Sequence, residues 1–116
     1  MKIKLLLLVS GAAMMGCASE PVDLTTITNW QKYGFEQANK GNVMLSDSEI
    51  SADDFALYKQ GYEVGKKAYC SQDAYNLGMR GNTYHGICDD VSQDFKTQYE
   101  LGRLEYLALK EKFDSE

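Results

Sequence analysis

The chain has one histidine and one proline in 116 residues, and only two arginines, Arg80 and Arg103. A single histidine cannot complete a zinc shell, and His85 has no nearby sequence partner that would mark it as the base of a nucleophile. Two arginines leave few candidates for bidentate capture of phosphate or carboxylate. With 17 acidic residues against 12 basic ones, the chain repels polyanions, so neither nucleic acid nor an anionic lipid surface is expected as a partner. The apolar run Leu5 to Met15 is far short of the ~20 residues that cross a hydrocarbon core. No useful stretch alternates polar and apolar residues, so the composition argues against a sheet. P-loop, dinucleotide, His-Glu-x-x-His and EF-hand patterns are absent, and no cofactor is expected.

What is present begins with an address. Lys2 and Lys4 precede the apolar run, which ends at Gly16-Cys17 in the manner of a cleaved export segment. Met14-Met15-Gly16-Cys17 resembles the lipobox of bacterial lipoproteins. That resemblance implies cleavage before Cys17, acylation of Cys17 with chains such as palmitate, and, with Ala18 rather than Asp following, an outer-membrane destination. Ordinary secretory cleavage after Ala18 is the competing reading, because Gly16 and Ala18 are both small. The expected layout is a signal peptide over 1–16, a lipidated tether over 17–28 that holds the only proline, and a helical domain over 29–116.

Loss of Lys2 and Lys4 with the signal leaves 10 basic against 17 acidic residues, a formal charge of −7 for one small domain. With Cys17 assigned to lipid, Cys70 and Cys88 remain, and an even number of thiols in an oxidising compartment reads as a disulfide. Such a bridge is worth about 3 kcal/mol by the chain-entropy estimate. A redox pair lacks the Cys-x-x-Cys spacing, and a metal site lacks ligands.

The spacing predicts four helices, hence an all-α bundle stapled by one disulfide. Trp30, Tyr33, Gly34, Gln37 and Ala38 recur at helical steps and Gly41-Asn42 supplies a stop, which predicts a helix over about 29–40. Ser51 and Asp54 form a capping-box-like start for a second helix reaching about Tyr69. Ser71 is the expected cap of a short third helix ending at Gly81-Asn82. An ordered loop carries Tyr84, His85 and Gly86, and a last helix runs from after Asp89-Asp90 to about Phe113. In that helix Phe95, Tyr99, Gly102, Tyr106, Leu109 and Phe113 make one apolar stripe. The acid pairs Asp53-Asp54 and Asp89-Asp90 are read as helix-start charges rather than as glycosidase or calcium carboxylates.

A short aromatic and glycine unit recurs: Trp30 with Gly34, Tyr58 with Gly61 and Gly65, Tyr75 with Gly78 and Gly81, and Tyr99 with Gly102. Glycine inside a helix costs roughly 1 kcal/mol against alanine, so its repetition at helical spacing needs a steric reason. The stripe is either the core of the bundle or a surface groove whose tyrosines stack on glycan or hold a peptide.

These residues carry a family resemblance. Trp30 and Gly34, Asp53-Asp54-Phe55-x-x-Tyr58-x-x-Gly61-x-x-x-Gly65, Tyr69-Cys70, Gly78 and Gly81, Tyr84-x-Gly86-x-Cys88, then Phe95, Tyr99 and Gly102 resemble a bacterial lipoprotein family catalogued as domain of unknown function 2799. The likeness covers roughly residues 30–103; His85 is not part of it. It implies an exported helical domain and lends no activity. The expected role is a periplasm-facing interaction or structural module with an envelope protein as partner. Binding of peptidoglycan glycan or peptide is the alternative, and a small hydrolase the third. Intact mass tests the address: the mature chain is expected to begin at an acylated Cys17, and an unmodified start at Ser19 would exclude the lipid.

Overall fold

The computed structural model describes residues 22–115, so the signal, Cys17 and most of the expected tether lie outside the described residues. Four α-helices follow a short 3-10 turn at Leu24–Thr26: α1 (Trp30–Asn39), α2 (Ala52–Cys70), α3 (Ala74–Met79) and α4 (Gln93–Asp114). No strand occurs among the described residues. The fold is the all-α, disulfide-stapled bundle that the spacing predicts, but it is built as two units in tandem. In one α1 packs on α2, and in the other α3 packs on α4.

Glycine fixes both units. A Cβ on Gly34 would run into the Tyr58 carbonyl and one on Gly61 into the Gln31 carbonyl, while Gly65 faces the Phe35 carbonyl. In the second unit Gly78 meets the Tyr99 carbonyl and Gly102 the Tyr75 carbonyl. Backbone therefore rests on backbone, a separation no side chain allows. The contacts also give direction. Gly34 lies at Tyr58 and Tyr62 and Gly41 at Tyr69; Gly78 lies at Tyr99 and Arg103 and Gly81 at Tyr106. Both chains advance together, so the paired helices are parallel. Parallel neighbours need a return path, and residues 40–51 and 80–92 supply one in each unit.

The tyrosines hold these return segments down. In the first, Tyr62 donates to the Asn42 carbonyl (2.6 Å) and Tyr58 accepts from the Leu45 amide (2.9 Å). In the second, Tyr99 donates to the Asn82 carbonyl (2.8 Å) and Tyr84 accepts from the Cys88 amide (2.9 Å). Each hydroxyl satisfies a polar group that the packed aromatic rings would otherwise strand. Two cores result. Trp30, Ala38, Tyr58 and Tyr62 fill the first, joined by Leu24 and Ile27, so ordered packing starts ahead of the expected boundary at residue 29. Tyr69, Ala74, Leu77, Ile87, Cys88 and Phe95 fill the second. The disulfide Cys70–Cys88, with Cα atoms 5.6 Å apart, ties the end of α2 to the second return segment. Lys66 bonds Asp90 at 2.8 Å beside it.

Several local expectations are corrected. Ser71 does not cap α3: it closes α2, donating to the Lys67 carbonyl, while Asp73 caps α3 by accepting from the Asn76 amide (3.3 Å). Keeping Cys70 helical for the bridge carries α2 one residue further and leaves the cap to the next good acceptor. Asp89 and Asp90 are not helix-start charges, because α4 begins at Gln93; Asp89 accepts from Tyr84 (2.7 Å) and Asp90 from Lys66. Ser51 and Asp54 do form the expected cap of α2 (3.2 Å). The α4 stripe splits: Phe95 and Gly102 are buried and Tyr99 and Tyr106 half-buried, but Leu109 and Phe113 are exposed because α3 ends too early to cover them.

Replacing Gly61 by alanine tests this geometry by sign. In an open helix the change stabilises by about 1 kcal/mol. Here a Cβ against the Gln31 backbone is expected to cost about 2 kcal/mol or more. A thermal melt that rises for Gly61→Ala would exclude backbone contact.

Candidate functional site

The two units repeat one another in detail. Lys40-Gly41-Asn42 and Arg80-Gly81-Asn82 close α1 and α3, with Gly41 at φ +81° and Gly81 at φ +80°, a region open to glycine. The same bonds recur at both ends: Asn42 N–H to the Gln37 carbonyl (3.0 Å) and Asn82 N–H to the Leu77 carbonyl (3.3 Å). Each glycine lies against a tyrosine ring that a Cβ would strike, Tyr69 for Gly41 and Tyr106 for Gly81. The span from the crossing glycine to this turn is one helical turn shorter in the second unit, and the tyrosine beneath it shifts back by one turn to match.

The residues singled out by sequence are buried or half-buried parts of the packing. Trp30 is buried with its ring edge-on to Tyr58 (6.5 Å between centroids). Gly34, Tyr58, Gly61 and Gly65 form the first crossing and Gly78 and Gly102 the second. Tyr84 packs between Phe95 (5.2 Å) and Tyr99 (5.3 Å). Tyr75 is half-buried and donates to Glu105 across the second crossing. Gly86 differs from the other glycines: it takes φ +84° in a turn and meets only the Asp89 carboxylate, so it serves the loop and not a crossing. None of the eight tyrosines is exposed, so the stripe is core and does not form a surface groove. His85 is exposed. No group of three His, Cys, Asp or Glu side chains is placed to hold a metal ion among the described residues.

Burial raises the tyrosine hydroxyls. Desolvation, reinforced by neighbouring Tyr58, Glu63 and Asp90, pushes Tyr62 up to about 12. Desolvation also lifts Tyr58 and Tyr69, and Tyr84 is lifted by desolvation and by its bond to Asp89. The Lys66 hydrogen bond holds the Asp90 carboxyl below its usual range.

What the surface offers instead was not visible in the tyrosine pattern. One feature is apolar: Phe35 on α1, Leu57 and Val64 on α2, and Val91 before α4 are all exposed, Val64 by 59% and Val91 by 60%. Two shallow depressions meet at Val64, one reaching Phe35 and Gly61, the other Lys66, Lys67 and Val91. The other feature is a polar cavity of about 390 Å³ where the ends of α1 and α3 come together. Sequence periodicity concealed both, since Val64 reads as a helix position like its neighbours, and Lys40 and Arg80 read as ordinary charges at helix ends.

This architecture defines a small, disulfide-linked, all-α domain made of two parallel helix pairs. The chain belongs to the family described as protein of unknown function (DUF2799), whose profile matches residues 29–104. No curated protein and no solved structure gives a match to it.

Folded tyrosines with raised pKa values contribute stability that is full below pH 10 and lost as pH rises through about 12. Tyrosinate absorbance and far-UV circular dichroism are therefore expected to change together between pH 10 and 12. Ionisation near pH 10 with the helices intact would contradict burial of the rings.

Proposed function

We propose that the chain is an exported, lipid-anchored interaction module, acylated on Cys17 and held at the periplasmic face of the outer membrane, with another envelope protein as its partner. The observation that carries this reading is the exposed apolar face of Phe35, Leu57, Val64 and Val91. Large apolar side chains gathered on one face of a domain whose own cores are filled mark a protein contact. Glu63, Lys66 and Lys67 border that face, with Lys66 held by Asp90, which gives it a charged rim of mixed sign. The export segment and a cysteine pair bridged as expected in an oxidising compartment support the location.

No catalytic role is assigned: His85 is solvent-facing, and the carboxylates of Asp89 and Asp90 are engaged by Tyr84 and Lys66. Wall binding through tyrosines is less favoured, because Tyr58, Tyr62 and Tyr69 are buried and the other five are partly covered. Among the described residues no helix is long and apolar enough to cross a membrane.

A photo-crosslinker at position 91 in living cells, with Val64→Asp as the control, tests the reading. One envelope protein is expected to be captured, and its yield to fall about tenfold with Val64→Asp while the melting temperature holds. Equal capture with and without the charge, or sedimentation of the purified mature chain with peptidoglycan sacculi in place of protein capture, would overturn it.

A further inference from the structure

The cavity at the junction of the two units is built from equivalent positions. Lys40 and Arg80, each the residue before a Gly-Asn turn, come from different units and line the same space. Asn39, Gln72, Asn82 and Thr83 add polar groups around them, and buried Tyr69 and Leu77 supply the apolar part. No carboxylate lines it, in a chain of net charge −5. Neither Lys40 nor Arg80 makes an ion pair among the described residues. Arg80 uses only Nε, donating to the Asn76 carbonyl (3.3 Å), which leaves the two terminal nitrogens of its guanidinium to a ligand.

Two helix ends would normally present carbonyl oxygens here and repel an anion. The turns engage several of them: the Gly41 and Asn42 amides donate to the Ala38 and Gln37 carbonyls and the Gly81 and Asn82 amides to the Gly78 and Leu77 carbonyls, while beyond the helices Tyr62 donates to the Asn42 carbonyl, Tyr99 to the Asn82 carbonyl, and Arg103 to the Gly81 carbonyl (3.1 Å). Those backbone acceptors are held by the protein itself, and two side-chain cations line the space between the turns. We propose that this cavity binds a small polar ligand through its carboxylate, with Arg80 and Lys40 holding the anion and the flanking amides holding the rest. A planar guanidinium matches a carboxylate in bidentate fashion, and amide side chains beside it suit the amide groups of a short peptide. The volume, about 390 Å³, fits a ligand of dipeptide size.

The test titrates the purified mature chain, ¹⁵N-labelled, with N-acetyl-alanyl-alanine, with its C-terminal carboxamide, and with inorganic phosphate, following the amide signals of Asn39, Gln72, Asn82 and Thr83. The free acid is expected to shift these signals saturably and to bind at least about tenfold more tightly than the carboxamide. Arg80→Gln and Lys40→Gln are each expected to weaken it at least about fivefold. Both side chains are exposed, so an unchanged melting temperature verifies folding in each variant. Equal affinity for acid and carboxamide, wild-type binding by both variants, no saturable shift, or tighter binding of phosphate than of the acid would each overturn the proposal. Because the cavity is lined by none of Phe35, Leu57, Val64 or Val91, Val64→Asp is expected to leave this titration unchanged.

Discussion

Contact of one helix backbone with another, at Gly34 and Gly61 in the first unit and at Gly78 and Gly102 in the second, is the constraint on which the rest of this structure depends. Helices this close leave no room for interleaved aliphatic side chains along the crossing. The apolar volume must then come from the flanks, and tyrosine suits that position because its ring fills the flank while its hydroxyl reaches past it. The hydroxyls meet the return segments, which exist because the paired helices are parallel. Glycine crossing, tyrosine flank and long return segment are thus three aspects of one geometry, and it occurs twice.

The disulfide and the Lys66–Asp90 bond act at a different level. Neither lies within a unit: both join α2 to the return segment of the second unit. Tyr69 works with them, since it leaves the first helix pair to stack near Phe95 (6.0 Å) while its ring also carries Gly41. The exposed Asp90 end of the ion pair adds little stability, whereas the covalent link shortens the unfolded chain. The two units therefore hold their shapes by packing and their mutual position largely by the bridge and Tyr69.

Much of the fold was legible because helices announce themselves by period and by breakers. The limits of α1 and α2 follow from Gly41-Asn42 and from the Ser51 cap, and the Cys70–Cys88 bridge follows from the count of thiols. The pairing partners were not legible. A glycine at helical spacing says that something approaches, but not what, and only the matched contacts of Gly34 with Tyr58 and of Gly78 with Tyr99 reveal parallel pairs. Periodicity also extended the α4 stripe through Leu109 and Phe113, since a period carries no information about where the opposing helix stops. The surface features were least legible, because Lys40 and Arg80 acquire meaning only when two turns forty residues apart meet.

The crossing glycines bear on how such a chain is free to diverge. No residue is smaller than glycine, so the separation of the paired helices has no compensating substitution and cannot drift. Helix length has no such bound: α1 has ten residues and α3 six, and the tyrosine under each turn has moved by one helical turn to follow. Insertions and deletions of whole turns, with the aromatic ring relocated in step, are the changes this architecture absorbs, and its two halves already differ by one.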